Sequence, residues 1–98
     1  MTILFIYAYY ELVSGKDVYV GSAFNVAARD RVHCVSGQIP FDREILRRGR
    51  GAFGLRIVEA LTAECDTDAM KAGVPRENQW MDVLGTYRTK GCFNFRQE

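Results

Sequence analysis

The residues between Tyr19 and His33 include two side chains that are suited to binding a phosphate group. Arg29 and His33 lie four positions apart, so a helix through this stretch places both on one face, close to the glycine that ends the run Tyr19-Val20-Gly21. Arginine suits this task because its planar fork donates to two phosphate oxygens and never loses its charge. Cleavage of a phosphodiester needs such charge stabilisation together with an activated water. On the helix pattern alone, the alternative is a solvated arginine on an amphipathic helix.

Two further residues have types that fit this chemistry, one as a base and one as a metal ligand. His33 is the only histidine, so a neutral imidazole that acts as a general base has to be this one, although a lone histidine is more often structural. Glu77 is a carboxylate in a helical segment, and Mg²⁺ favours oxygen ligands while it keeps several waters. The alternative for a glutamate in the first turn of a helix is a favourable interaction with the helix dipole.

Tyr7 and Tyr19 reach one cleft only if they lie on the same face of a hairpin. Side chains alternate between the two faces of a strand, so the loop decides which residues share a face. A two-residue turn at Ser14-Gly15 places Tyr10 on the face of Tyr19, whereas a three-residue loop that includes Lys16 places Tyr7 there. A shared face for Tyr7 and Tyr19 therefore requires the odd loop or a β-bulge.

The order of the elements predicts a small α+β domain, with helices packed on a three-stranded antiparallel sheet. Asn25 is predicted to cap the first helix, and Gly73 to stop a short one. Trp80, Val83 and Leu84 are predicted to form a buried stripe on the last helix. The predicted elements are a hairpin of Ile3 to Val13 with Asp17 to Gly21, helices from Asn25 to about His33 and over Asp42 to Arg48, a strand over Phe53 to Leu61, and helices over Thr67 to Ala72 and from Pro75 to about Leu84.

The composition is that of one ordinary globular domain over residues 1–98. The chain has 13 Lys+Arg against 12 Asp+Glu, a net charge of +1, which argues against a strongly basic nucleic-acid coat protein. No apolar run reaches the length of a membrane span, and the three cysteines have no zinc-binding spacing. We therefore expect a soluble, unexported protein of the cytoplasm with reduced thiols.

Taken in order, these residues resemble the motifs of the GIY-YIG nucleases. Phe5-Ile6-Tyr7 stands at the first motif and Tyr19-Val20-Gly21 at the second, and Arg29 follows at the family's spacing. Glu77 matches the family's metal-binding glutamate, and Asn94 matches its terminal asparagine. The resemblance covers nearly the whole chain and is strongest to the catalytic domain of phage intron-encoded homing endonucleases. Phe5 departs from the first-motif glycine, and a histidine that some members carry after the first helix is missing.

The resemblance implies a metal-dependent DNA endonuclease that uses Mg²⁺ or Mn²⁺ held by Glu77. The water-activating role falls to Tyr7 or to His33, which remain competing candidates. A partner protein or a homodimer is implied as a possible source of specificity, and no membrane is involved. The alternative from another class is a non-catalytic nucleic-acid-binding or interaction module that retains the fold. The catalytic set that the resemblance implies is Tyr7, Tyr19, Arg29, His33, Glu77 and Asn94.

A cluster of arginines in the second helix and the loop after it offers a surface for DNA. Basic side chains that follow a phosphate backbone bind without reading sequence, so base specificity is expected to come from elsewhere. Solvated surface arginines are the alternative. The predicted DNA-binding residues are Arg43, Arg47, Arg48, Arg50 and Arg56.

Overall fold

The computed structural model describes residues 1–95, and it confirms the predicted α+β class with a three-stranded antiparallel sheet. The strands lie in the order β2-β1-β3, so β1 is central and β2 is an edge strand. The elements are β1 (Thr2–Glu11), β2 (Asp17–Ala23), α1 (Val26–Ser36), α2 (Pro40–Arg48), a short 3₁₀ turn (Arg50–Ala52), β3 (Phe53–Ala63) and α3 (Asp66–Leu84).

The central strand buries side chains on both of its faces, which is why its sequence is a nearly continuous apolar run. One face packs against α1 and α2, and its buried cluster contains Tyr7, Tyr9, Val18, Ala23, Phe41, Ile45 and Phe53. The other face packs against α3, and its cluster contains Ile6, Ala8, Val20 and Met81. The sheet is therefore the middle layer between two helical layers.

The register of the hairpin confirms that Tyr7 and Tyr19 share a face. Tyr9 pairs with Tyr19, and Tyr7 pairs with Gly21. The pairing shifts after Tyr9, so that Tyr10 lies opposite Asp17, and this irregularity is the β-bulge that the alternation required.

The first two helices begin close to where the sequence predicted. The Asn25 side chain caps α1 by accepting a hydrogen bond from the backbone N–H of Ala28 at 3.0 Å, as expected. Gly37 ends this helix in the left-handed conformation, with φ of 62°. The second helix starts at Pro40, which is two residues before the predicted start, because proline fits the first turn of a helix.

The prediction of two helices after the third strand was wrong, because α3 is one continuous helix. Gly73 is buried, and a Cβ atom added to it would lie 2.4 Å from Cδ2 of Leu4. This glycine allows the helix to approach β1 closely and does not end the helix. Pro75 costs one helical hydrogen bond, and packing of the helix against the sheet compensates for that loss.

The predicted buried stripe on α3 was wrong at Val83, which is 73% exposed. Trp80 and Leu84 are partly buried and pack with Met81, which is fully in the core. The Trp80 indole also donates a hydrogen bond to Glu59 of β3 at 2.9 Å. The buried residues of α3 are Ala69, Gly73 and Met81, so these positions mark the face of the helix that packs on the sheet.

The segment after α3 returns to the free edge of β2. The backbone N–H of Phe93 donates to the carbonyl oxygen of Val18 at 2.8 Å, so this segment covers part of an edge that would otherwise lack partners. All three cysteines are free thiols, as predicted. Within residues 1–95, no helix is both long enough and apolar enough to span a membrane.

Candidate active site at the edge strand

Three buried side chains from three elements form one hydrogen-bonded chain. The Tyr7 hydroxyl of β1 lies 2.8 Å from Nε2 of His33 in the last turn of α1. The other ring nitrogen, Nδ1, lies 2.5 Å from Oδ1 of Asp42 in the first turn of α2. An ionised carboxylate only accepts hydrogen bonds, so the Asp42 contact favours the tautomer with the proton on Nδ1, in which Nε2 accepts from Tyr7. Both nitrogens of His33 are therefore occupied.

The Tyr7 hydroxyl lies in the electrostatic field of Arg29, Glu77 and Asp42. Burial raises the pKa of Tyr7 well above its usual value, and the neighbouring Tyr19 adds to this effect. Arg29 lowers the pKa of Tyr7, whereas Glu77 and Asp42 raise it. Burial also raises the pKa of Tyr19, on which Glu77 and Arg29 act in the same opposing directions. The two tyrosines are therefore neutral at ordinary pH and lie near both a cation and carboxylates.

The glycine of the second motif is required by the position of Tyr7. Gly21 lies opposite Tyr7 in the sheet, and an added Cβ atom would lie 2.5 Å from the Tyr7 hydroxyl oxygen and 3.1 Å from the Tyr19 ring. Any side chain at this position would displace the hydroxyl from His33. Tyr19 is held on its other side by Phe41, whose ring stacks on it with centroids 4.9 Å apart.

A cleft of about 360 Å³ opens beside β2 and brings together residues from both faces of the sheet. Glu77 of α3 lies in its wall and accepts a hydrogen bond from the Ser22 hydroxyl at 2.7 Å. Tyr19 and Asn94 lie in the same wall. The rest of the lining is largely apolar and consists of Leu4, Ile39, Pro40, Met70, Val74, Asn78, Met81, Phe93 and Phe95.

Asn94 uses its side-chain amide to hold the backbone of β2. Its Oδ1 accepts from the Val20 N–H at 2.7 Å, and its Nδ2 donates to the Val20 carbonyl oxygen at 2.9 Å. The side chain is buried and satisfies both polar groups of one residue on the edge strand. This geometry makes Asn94 a residue that positions Tyr19 and Gly21 on either side of Val20.

Arg29 is exposed on α1 and forms no ion pair with another of the residues that the structure describes. It nevertheless lowers the pKa values of Tyr7 and Tyr19, so its positive charge acts on both hydroxyls. An arginine that is not bound to a protein carboxylate keeps its fork available for a phosphate group.

The donors for a metal ion fit Mg²⁺ better than a transition metal. Over residues 1–95, no group of three or more His, Cys, Asp and Glu side chains converges on one point. Glu77 offers carboxylate oxygens in the cleft, with the Ser22 hydroxyl beside them. Mg²⁺ is commonly held by one or two carboxylates, substrate phosphates and waters, so this sparse oxygen set fits that ion.

The five arginines predicted to bind DNA are mostly engaged with carboxylates. Arg43 differs from the others, because it donates to the backbone carbonyl oxygens of Gly37 and Gln38 at 3.3 Å. The other four lie in ion pairs, which reduces the positive potential that they offer. These pairs are Arg47 with Glu44, Arg48 with Glu11, Arg50 with Asp30 and Arg56 with Asp17.

Sequence reasoning missed two residues of the site, Asp42 and Ser22. Asp42 was taken only as the start of a helix, and nothing in its local sequence relates it to His33. Ser22 directly follows Gly21 of the second motif, and this position was a signal that Ser22 belongs to the site. Its partner could not be predicted, because the Glu77 carboxylate that it contacts belongs to α3. Both contacts depend on how helices pack on the sheet.

The structure is similar to a mutant form of the catalytic domain of intron endonuclease I-TevI. The two share 20% sequence identity over 99% of this chain and 97% of that chain, with a TM-score of 0.73. No family model matches the sequence, and no curated protein matches it at a significant level. The structural match confirms, at the level of the fold, the relation to GIY-YIG nucleases that the motifs indicated.

Proposed function

We propose that this chain is a metal-dependent DNA endonuclease that hydrolyses phosphodiester bonds. The observation that carries the proposal is a cleft at the edge of β2 that holds Tyr19 and Glu77, with the Tyr7 hydroxyl beside Gly21 and the charge of Arg29 acting on both tyrosines. Three elements contribute the groups that hydrolysis requires: β1 a proton acceptor, α1 a fixed cation and α3 a carboxylate. The fold shared with an endonuclease domain supports the same proposal.

Tyr7 and His33 act in series in this proposal and are not alternatives. His33 has no nitrogen left for water, because Asp42 and Tyr7 occupy both. The Tyr7 oxygen retains a lone pair, so it takes the proton from the attacking water while its own proton passes to Nε2. The raised pKa of Tyr7 agrees with this order, since a free phenolate is disfavoured there.

Arg29 and Glu77 provide the charges around the scissile phosphate. Arg29 binds non-bridging oxygens and stabilises the negative charge that grows on them during attack. Glu77, oriented by Ser22, would hold the divalent ion, with Asn94 fixing the strand that carries Tyr19. When bound, that ion supplies positive charge to the phosphate and to the departing oxygen. DNA approaches along α1 and α2, and a partner protein or a second copy of the chain supplies sequence specificity.

The test is cleavage of supercoiled plasmid by the purified chain with Mg²⁺, with Mn²⁺ and with a chelator. We expect nicking with either ion and none with the chelator. Glu77→Gln keeps the shape of the side chain but removes its charge, so this variant should bind DNA as well as the wild type or better and should not nick it.

Two controls separate catalysis from binding and folding. DNA affinity is measured by fluorescence anisotropy in the chelator. Asp66→Asn serves as a matched loss of one carboxylate on the same helix, at an exposed residue that accepts a hydrogen bond from the Thr2 hydroxyl. Nicking by Glu77→Gln at the wild-type rate would contradict the assignment. Tight DNA binding without cleavage of any DNA form would favour the non-catalytic binding module.

A further inference from the structure

The contact between His33 and Asp42 is a buried polar contact of the core. Both residues are 3% exposed, and they join the end of α1 to the start of α2. The ring of His33 is enclosed by aromatic side chains, with centroids 5.6 Å from Tyr9, 5.5 Å from Tyr19 and 5.9 Å from Phe41. The imidazole therefore has one orientation and two polar contacts.

Such a contact determines which nitrogen of a histidine carries the proton. Asp42 accepts at Nδ1, which leaves Nε2 with its lone pair towards the Tyr7 hydroxyl. If the proton were on Nε2, the ring would donate to Tyr7 and could not accept its proton. A carboxylate at Nδ1 also stabilises the imidazolium that forms when Nε2 takes up a proton.

We propose that Asp42 is a positioning residue that fixes the Nδ1–H form of His33 and so directs proton transfer from Tyr7 to His33. This inference rests on the proposed nuclease function. The attacking water loses one proton to the Tyr7 oxygen, and the Tyr7 proton moves to Nε2. The water oxygen bonds to phosphorus, the bond from phosphorus to the leaving oxygen breaks, and the leaving oxygen takes a proton from solvent. Nε2 of His33 then returns its proton to the Tyr7 oxygen, which releases its other proton to solvent.

The first measurement needs no variant, because His33 is the only histidine and gives one set of imidazole nitrogen signals in NMR. At neutral pH and without DNA, we expect the proton on Nδ1 and a lone pair on Nε2. A proton on Nε2 of the neutral ring would overturn the proposal.

The second measurement is single-turnover cleavage by Asp42→Asn, which is close in shape and uncharged. We expect a loss of at least about tenfold, up to the roughly 10⁴-fold seen when the equivalent carboxylate of a Ser-His-Asp triad is replaced. The affinity for DNA in chelator should not change. A wild-type cleavage rate in this variant would overturn the proposal.

Ile45→Val is the matched control for a general loss of packing. Ile45 is 2% exposed on the same helix as Asp42, and it contacts no part of the hydrogen-bonded chain through a polar group. Ile45→Val should melt at a lower temperature but cleave at the wild-type rate. If Ile45→Val and Asp42→Asn slow cleavage equally, Asp42 acts only in folding. If the wild-type chain cuts no DNA, the nuclease proposal fails, whereas the NMR result still decides whether Asp42 fixes the form of His33.

Discussion

At the scale of single residues, this site separates groups that are open to solvent or to the cleft from groups that are buried behind them. Arg29 is exposed and Glu77 lines the cleft, whereas His33 and Asp42 are buried. Tyr7 links the two sets through its hydroxyl. Substitutions of the outer groups should therefore affect chemistry with little effect on stability, and substitutions of the inner groups should affect both.

Arg29→Ala is expected to remove charge stabilisation during attack on the phosphate. We expect the single-turnover cleavage rate to fall by about 10²- to 10³-fold, as when one electrostatic donor is removed from an enzyme site. The melting temperature should stay close to that of the wild type, because Arg29 is exposed and makes no ion pair within residues 1–95.

Arg31→Ala is the control for the loss of one positive charge on the same helix. Arg31 is exposed, and about 200° of helical rotation separates it from Arg29. It should keep the wild-type cleavage rate. An equal loss in both variants would mean that Arg29 serves general DNA binding, and a large drop in melting temperature for Arg29→Ala would make it structural.

At the scale of elements, the hairpin of β1 and β2 is the part of the fold on which the site depends most. Its bulge sets Tyr7 and Tyr19 on one face, and its register brings Gly21 against the Tyr7 ring. The helices supply His33, Asp42 and Glu77. The hairpin orients His33 through Tyr7 and Glu77 through Ser22, and His33 in turn contacts Asp42.

Gly21→Ala tests this dependence. The added methyl group would overlap the buried Tyr7 ring, so the free energy of unfolding should fall by about 1–3 kcal/mol, the usual cost of overpacking a core. Cleavage should fall as well, since Tyr7 must move away from His33. Gly51→Ala is the matched control, because an added Cβ at Gly51 has nothing within 4 Å. Chemical denaturation and plasmid nicking measure the two effects, and wild-type behaviour of Gly21→Ala would contradict the role given to this glycine.

At the scale of the whole molecule, buried tyrosines connect stability to pH. Burial raises the pKa of Tyr7, Tyr9 and Tyr19 above that of a tyrosine in an unfolded chain, which is about 10. For Tyr9, the hydrogen bond from its hydroxyl to Asp30 adds to the increase in pKa. These three side chains therefore remain protonated in the folded protein under conditions where the unfolded chain has begun to lose those protons.

The sign of the effect follows from that difference. Below about pH 10 both states hold the protons and the stabilisation is complete, whereas above about pH 10 the unfolded state releases them. We expect the free energy of unfolding to fall with rising pH, at a limiting slope of about 1.4 kcal/mol per pH unit for each tyrosine. Melting curves measured together with tyrosinate absorbance check this. Ionisation of all the tyrosines before unfolding would contradict the burial of these hydroxyls.

The sequence determined the features that depend on neighbouring residues. Asn25 had the right type and position to cap a helix, and the alternation of side chains required the bulge that brings Tyr7 and Tyr19 together. The order of β-prone and helical segments was sufficient for the fold class. The motif residues were recognised because their spacing is a property of the chain itself.

The tertiary structure alone decided the features that depend on packing between distant segments. Gly73 looked like a helix stop because glycine is unfavourable inside helices, but its contact with Leu4 explains it. Four of the arginines predicted to bind DNA lie in ion pairs with carboxylates. Arg48, for example, pairs with Glu11, which lies 37 residues away in the sequence. Asp42 became part of the site for the same reason, since only the packing of α2 against α1 places a buried carboxylate on the one histidine. Contacts of this kind depend on the relative positions of elements, which local sequence does not encode.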